Sequence, residues 1–328
     1  MSRTSPAVDR SSPALASLQG YALVALGAVL WGSLGLFYQV VIGQYGLSSL
    51  EAVFWRALIA TLILAIWLAW RNPQTLHVRR QDLLLMFLLG AIGVAATFWI
   101  YAYAIRAVGM GVAAVLQYVA PVWVTLFSVF FWGESLAATR ITALILALAG
   151  VALVGRMYDL SGATLSLLGI VAALATSLTY AAYVLMIKMA SRRGYTSWTI
   201  MVYALAIGTA CLAPLQTKQS FTIVTGQPGV IPWLIALGIV TLAAGLSFTA
   251  GVKHVPASNA SIVATIEPLT AMVLGWSVLS ERMDPLQVIG AICILASVSV
   301  LQIRSRGRTP ARSLRQFQQQ DITPDKGA

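Results

Sequence analysis

The chain alternates between long apolar stretches and short polar segments, and this pattern predicts its architecture. Ten stretches of roughly 20 mainly apolar residues can be marked off, and each is long enough to cross a hydrocarbon core of about 30 Å. A backbone in lipid must satisfy its hydrogen bonds within the segment, so we predict ten transmembrane α-helices. They cover residues 18–42, 48–70, 82–105, 109–132, 138–157, 165–188, 196–214, 231–252, 256–279 and 285–303.

An internal repeat divides these ten spans into two halves. Shifting the chain by 147 residues aligns 108–155 with 255–302 without a gap, and it pairs Pro121 with Pro268 and Glu134 with Glu281. Each half holds five spans, an odd number, so the second half must enter the membrane from the opposite side. We therefore predict an all-α membrane protein of two inverted five-helix repeats. Its predicted parts are a polar N-terminal tail (1–17), the repeats (18–158 and 165–303) and a basic, disordered C-terminal tail (304–328).

Composition and charge exclude other classes of protein. Hydrophobic residues make up 59% of the chain and charged residues only 9%, whereas soluble domains carry about 25% charged residues. The net charge of +11 has a topological explanation. With the N-terminus inside, 16 of the 21 Lys and Arg residues lie on the inner side and four on the outer side. This bias predicts a cytoplasmic (inner) membrane protein with both termini in the cytoplasm and no nucleic-acid partner.

Several motifs give the chain a family resemblance. They include Trp31-Gly-Ser in span one, Phe54-Trp-Arg56 in span two, Gly133-Glu134 after span four and Glu267-Pro268 in span nine. The chain resembles the drug/metabolite transporter superfamily, in its ten-helix EamA-type branch. The resemblance implies a secondary transporter whose central cavity is lined by helices one, three, four, six, eight and nine. The chain departs from the family pattern at Ser280, where glycine is usual, and at Ala120, where many relatives repeat the acid seen at Glu267.

Glu267 is the candidate coupling or binding residue. It lies about eleven residues into its span and therefore roughly 16 Å deep, near the bilayer midplane. Ionisable side chains at this depth are costly, and they mark functional sites by default. Two interpretations remain open. Glu267 is either a cavity acid that couples protons or binds an amine, or a protonated carboxyl that hydrogen-bonds the carbonyl freed by Pro268.

Arg56 and the two prolines are predicted to be structural or gating residues. An unpaired guanidinium is untenable in lipid, so Arg56 either binds a substrate carboxylate, extends to the outer headgroups, or pairs with Glu51. We favour a structural or gating role. Pro121 and Pro268 interrupt spans four and nine and allow bending at the binding site.

Two glutamates at span ends complete the structural or gating set. Glu134 and Glu281 lie at the ends of spans four and nine, on opposite sides of the membrane. Each is predicted to pair with a basic residue or to cap the following helix, rather than to act as a gate.

Deep aromatic side chains are the substrate-binding candidates. Each alone is more typical of packing, but together they predict a cavity with aromatic walls and few polar groups. Such a cavity suits an uncharged, zwitterionic or weakly cationic solute. The candidates are Trp31, Trp99, Tyr103, Gln117, Tyr118, Tyr180 and Tyr183.

These observations predict a secondary carrier that exports amino acids or related metabolites by alternating access. Its partners are a small organic solute and the lipid bilayer, with proton coupling as an open alternative, and it acts as a monomer or homodimer. One alternative is a proton-coupled multidrug antiporter with Glu267 as the coupling site. An intramembrane enzyme is disfavoured, because the two histidines, His77 and His254, form no paired metal motif. We therefore predict no enzymatic activity, no cofactor and no metal site.

Overall fold

The computed structural model describes residues 13–160, 166–280 and 282–306, and all regular structure within these ranges is helical. Eight apolar helical segments are long enough to cross a membrane, and two shorter apolar helices, Ala138–Val154 and Pro285–Leu301, are the fifth and tenth spans. The predicted all-α membrane protein of ten helices in two repeats is confirmed.

The described residues form fourteen α-helices, numbered α1 to α14 in chain order. Span three combines α3, a π-helix and α4, span four combines α5 and α6, and span nine combines α12 and α13. The helices are α1 (Pro13–Gly43), α2 (Ser49–Arg71), α3 (Leu83–Gly90), the π-helix (Ala91–Ala96), α4 (Thr97–Val108), α5 (Met110–Gln117), α6 (Ala120–Trp132), α7 (Ala138–Val154), α8 (Leu167–Arg192), α9 (Ser197–Leu212), α10 (Lys218–Gly226), α11 (Ile231–His254), α12 (Ala257–Val263), α13 (Ile266–Leu279) and α14 (Pro285–Arg306). Single 3₁₀ turns cover Pro73–Leu76, Arg80–Asp82, Ala213–Leu215 and Pro228–Val230.

The chain ends differ from the predicted boundaries. The chain is already helical at Pro13, the first described residue, so α1 extends into the predicted polar tail. Helix α14 continues to Arg306. Residues 1–12 and 307–328, and with them the predicted disorder of the C-terminal tail, lie outside the described residues.

The start of α2 is fixed by a capping box. The Ser48 hydroxyl accepts from the Glu51 N–H at 3.3 Å, and the Glu51 carboxylate accepts from the Ser48 N–H at 2.8 Å. The other Glu51 oxygen accepts from the Thr217 hydroxyl at 2.5 Å. Glu51 is therefore held at the helix end by these partners rather than by Arg56.

A short helix between spans seven and eight was not predicted. Helix α10 begins after Thr217, whose hydroxyl accepts from the Ser220 N–H at 3.2 Å. It packs against the start of α2, where the Trp55 indole donates to the Ser220 hydroxyl at 2.8 Å and contacts the Phe221 ring with centroids 5.4 Å apart. The helix was missed because nine residues of mixed polarity carry no span-length signal.

The two most extensive helix–helix contacts each join one repeat to the other. Helix α1 packs along α11, and α7 packs along α14. The second pair crosses closely at Gly150 and Gly290, where a Cβ on Gly150 would lie 2.7 Å from the Gly290 carbonyl oxygen. Small residues at such crossings let two backbones approach in the membrane.

Candidate functional site

Spans four and nine are both broken near their middle. Helix α5 ends at Gln117 and α6 begins at Ala120, just before Pro121. Helix α12 ends at Val263, and α13, which contains Pro268, begins at Ile266. Because proline lacks an N–H, the helical bond to the residue four positions earlier is lost at each break. The two breaks occupy corresponding positions of the two repeats.

Glu267 lies at the break in span nine and faces the interior. Its side chain is half-buried, and its hydrogen-bond partner is the Tyr118 hydroxyl at the break in span four. The carbonyl freed by Pro268 belongs to Ala264, and it accepts from the Glu267 backbone N–H at 3.0 Å. The structural interpretation had the Glu267 side chain donate to this carbonyl. The backbone N–H of the same residue makes that hydrogen bond instead.

Tyrosine side chains from three other helices lie in the neighbourhood of this carboxyl. Tyr38 on α1, Tyr101 on α4 and Tyr180 on α8 all lie within electrostatic range of Glu267. The Tyr180 hydroxyl is buried and has no hydrogen-bond partner. A buried hydroxyl without a hydrogen-bond partner is energetically unfavourable in a protein interior.

A row of aromatic rings extends from α1 to α8 beside the carboxyl. The Trp31 ring lies 4.9 Å from that of Phe248, Phe248 stacks on Tyr183 at 6.5 Å, and Tyr183 stacks on Tyr180 at 6.2 Å. The structure therefore brings together the predicted residues Trp31, Tyr180 and Tyr183. Phe248 on α11, which connects them, was not among the sequence candidates.

On α4 the aromatic side chains divide between two faces. Trp99 and Tyr103 are 53% and 41% exposed and lie outside the interior clusters, whereas Phe98 and Tyr101, on the opposite face, turn inward. The sequence could not separate these faces, because both carry aromatic residues at helical spacing.

Gln117 is half-buried at the end of α5, beside Tyr118, and its side chain makes no hydrogen bond within the described part of the chain. Tyr118 itself is 8% exposed. The Gln117 side-chain amide therefore lies next to Tyr118, the hydrogen-bond partner of Glu267.

Arg56 is buried inside the bundle, 5% exposed, and does not extend to the headgroups. Its guanidinium lies 4.7 Å from the Phe98 ring centroid and 5.7 Å from that of Tyr38. Its Nη1 donates to the Thr241 hydroxyl at 3.4 Å, while Nε has no partner. Among the described residues, no carboxylate forms an ion pair with it.

Glu134, after span four, joins a polar cluster that we call the end network: Tyr21, Glu134, Arg140, Ser258 and Asn259. Glu134 accepts from the Ser258 hydroxyl and pairs with Arg140 at 3.3 Å. The Arg140 Nε donates to Asn259 at 3.2 Å, and the Asn259 amide donates to the Tyr21 hydroxyl at 2.6 Å. Its predicted counterpart, Glu281, lies outside the described residues.

Comparison with known proteins agrees with this architecture. The chain matches the EamA-like transporter family over residues 18–156 and again over 167–302. An uncharacterized transporter of Archaeoglobus fulgidus is 32% identical over 86% of this chain and 95% of its own length. A crystal structure superimposes with a TM-score of 0.72 at 17% identity, covering 90% of this chain and 98% of its own, and supports the fold alone.

Two other relatives carry more specific names. The pseudopaline exporter CntI of Pseudomonas aeruginosa is 26% identical over 80% of this chain and 88% of its own length. A probable terminal-alkyne amino-acid exporter of Streptantibioticus cattleyicolor is 27% identical over 89% of this chain and 97% of its own length.

Two five-helix repeats around a polar interior site define a multi-pass membrane transporter. The chain belongs to the EamA-like transporter family, within the drug/metabolite transporter superfamily.

Proposed function

We propose that this protein exports amino acids or closely related metabolites across the inner membrane by alternating access, with both termini in the cytoplasm. Two relatives are named exporters, one of them a probable amino-acid exporter. The interior carboxyl of Glu267, surrounded by aromatic side chains, fits a small organic solute that carries an amine.

Unequal burial of two corresponding helices is the observation that carries the proposal. Helices α5 and α12 begin the broken spans of the two repeats, 147 residues apart. All seven residues of α12 are buried, whereas only Val112 and Ala113 are buried in α5. A carrier built from inverted repeats is expected to be asymmetric in this way, because its two halves exchange environments between the inward- and outward-facing states.

The end network covers the buried helix α12. Asn259 and Ser258, on α12, contact Tyr21, Arg140 and Glu134 of the first repeat. The corresponding positions of α5 are Val112 and Gly111, which have no polar side chains. The excess of Lys and Arg on one side supports a cytoplasmic position for the end network. The described conformation is then closed toward the cytoplasm.

Topology is tested first, with single cysteines in a background that lacks Cys211 and Cys293. Cysteines at Arg80 and Arg192 are expected to be protected from an impermeant external thiol reagent in intact cells, and one at Lys218 is expected to react. Reaction at all three positions, or at the first two only, contradicts the proposed orientation. Permeabilised cells control for reactivity, since all three exposed sites should then be labelled.

Alternating access is tested with a matched cysteine pair at Ala114 on α5 and Ser261 on α12. The first is half-buried and the second is 1% exposed, so we expect faster labelling of the first. Asn259→Val removes the hydrogen bonds to Tyr21 and Arg140 and should weaken the cytoplasmic closure. Labelling at Ser261 should then rise while labelling at Ala114 falls. Simultaneous rises at both positions would indicate unfolding, and unchanged rates would contradict the gating role of the end network.

Substrate and coupling are tested by flux in proteoliposomes. A thermal-shift screen with amino acids, nucleobases, sugars and cationic drugs selects the ligands, since a ligand that binds the folded state raises its apparent stability. Preference for cationic drugs over amino acids would contradict the proposed function and favour a multidrug antiporter.

Substitution of Glu267 tests proton coupling. Glu267→Gln keeps the volume and a hydrogen-bonding group beside Tyr118 but cannot ionise. If Glu267 couples protons, this variant should lose the dependence of flux on a pH gradient while remaining folded. Unchanged flux across pH of about 5.5 to 8.5 would leave a facilitator driven by its substrate gradient alone.

A further inference from the structure

One edge of the buried Arg56 guanidinium has no hydrogen-bond partner. Its Nη1 donates to Thr241, its guanidinium carbon lies over the rings of Phe98 and Tyr38, and its Nε is buried without a partner. No hydrogen bond engages Nη2 within the described residues either. The Nε–Nη2 edge is one of the two that can bind both oxygens of a carboxylate. A buried charge that lacks a counter-ion is strongly disfavoured unless a ligand supplies one.

Glu267, a carboxyl that can take the opposite charge, lies within the same interior space. It lies within electrostatic range of Arg56, and Tyr38 lies within range of both. The two side chains nevertheless form no ion pair. An arginine and a carboxyl within electrostatic range that do not pair with each other can each bind one end of a molecule that carries both charges.

We propose that Arg56 and Glu267 bind the two charged ends of a zwitterionic α-amino acid. Arg56 binds the carboxylate through its Nε–Nη2 edge, and Glu267 binds the ammonium group. The inference rests on the proposed export function and specifies the charge pattern of its substrate.

The same pair of charges discriminates against other solutes. A simple anion that binds at Arg56 is repelled by Glu267, and a simple cation that binds at Glu267 is repelled by Arg56. In a low-dielectric interior these repulsions are large. The zwitterion is therefore favoured because it is attracted by both residues, whereas a singly charged solute is repelled by one of them.

The surroundings indicate which side chain accompanies the zwitterion. Trp31, Phe248 and Tyr180 form an aromatic wall on one side, and Phe98 lies over the guanidinium on another. Such walls favour an apolar or aromatic substituent over a second charge. L-phenylalanine is therefore a suitable probe.

The experiment compares L-phenylalanine with two derivatives that each lack one charge: phenylalanine amide, without the carboxylate, and N-acetylphenylalanine, without the ammonium group. Binding is measured by thermal shift and uptake by counterflow in proteoliposomes, with wild-type protein. We expect each derivative to bind roughly 10- to 100-fold more weakly than the amino acid, which is the range for loss of one charge-assisted hydrogen-bonding group.

Two variants assign each charge to its residue. Arg56→Gln should bind phenylalanine and its amide about equally, while still discriminating against N-acetylphenylalanine. Glu267→Gln should show the reverse pattern. Arg106→Gln, which removes a charge from an exposed position on α4, is the matched control and should keep the wild-type preference.

Arg56→Lys is a second variant that keeps the proposal testable if Arg56→Gln does not fold. It retains the charge but not the two-donor edge, so it should keep preference for the amino acid over the amide with weaker binding. Two results would overturn the zwitterion site without affecting the proposed export function. One is equally tight binding of the amide and of phenylalanine by the wild-type protein. The other is an equal loss of all ligands by Gln variants that remain folded. Failure of wild-type protein to bind any amino acid, together with binding of cationic drugs, would overturn both proposals.

Discussion

Gly133 and Ser280, which lie 147 positions apart, both end a helix in the left-handed backbone conformation. Their φ angles are +62° and +57°, and they follow α6 and α13 at corresponding positions of the two repeats. Glycine adopts this conformation freely, whereas a residue with a Cβ does so at a cost of about 1 to 2 kcal/mol. The departure from the family pattern at Ser280 is therefore a change of residue without a change of backbone geometry.

This pair gives the first prediction. Ser280→Gly should raise the free energy of unfolding by about 1 kcal/mol, and Gly133→Ser should lower it by a similar amount. Thermal unfolding of the purified protein in detergent measures both. Equal destabilisation by the two substitutions would show that the Ser280 hydroxyl contributes more than its backbone conformation costs.

The Tyr180 hydroxyl gives the second prediction, because it is buried without a partner. Tyr180→Phe removes an unsatisfied polar group and should leave the fold as stable as wild type or more stable by about 1 kcal/mol. Substrate affinity should fall if the hydroxyl meets the solute. The control is Tyr203→Phe, which removes a donor to the Leu76 carbonyl at 2.8 Å and should lower stability by about 1 kcal/mol. Unaltered transport by Tyr180→Phe would remove this hydroxyl from the site.

Lys188 gives the third prediction. Its ammonium group donates to the carbonyls of Val252 and Val255, each at 2.7 Å, and to that of Lys253 at 3.3 Å. It therefore binds the C-terminal end of α11, where helical carbonyls lack intrahelical partners. Lys188→Met should destabilise the protein by about 1.5 to 3 kcal/mol, the range for hydrogen bonds to a charged group.

The control for Lys188 is Lys253→Met, since the Lys253 side chain is exposed at the same end of the molecule. Unfolding by heat or denaturant is the measurement. Equal stability of the two Met variants would mean that water or other donors replace the ammonium group at these carbonyls.

The crossing of α7 and α14 gives the fourth prediction. Gly150→Ala places a Cβ against the Gly290 backbone and should destabilise by about 1 to 3 kcal/mol, as overpacking does. Gly35→Ala is the control, because no atom lies within 4 Å of a Cβ at that helical position, and it should be neutral or stabilising. Both are compared by thermal unfolding and by the yield of folded protein.

The sequence by itself determined the features that depend on local chemistry. Continuous apolar stretches defined ten spans, because lipid allows the backbone no alternative to a helix. Pro121 and Pro268 marked the breaks in spans four and nine, because the missing proline N–H removes a helical hydrogen bond whatever the tertiary contacts are. The repeat was visible from its paired prolines and glutamates, and five spans per half implied inversion.

Only the tertiary structure decided which side chains meet. Phe98 and Tyr101, rather than Trp99 and Tyr103, turn inward toward Arg56 and Glu267 respectively, since the choice of face depends on what packs against α4. In the same way, Glu51 is held by its capping box and Thr217, which leaves Arg56 without a carboxylate. The unequal burial of α5 and α12 likewise could not be predicted from the sequence, because it depends on which distant side chains pack over each helix. Contacts between distant segments depend on the three-dimensional path of the whole chain, and local hydrophobic periodicity carries no information about that path.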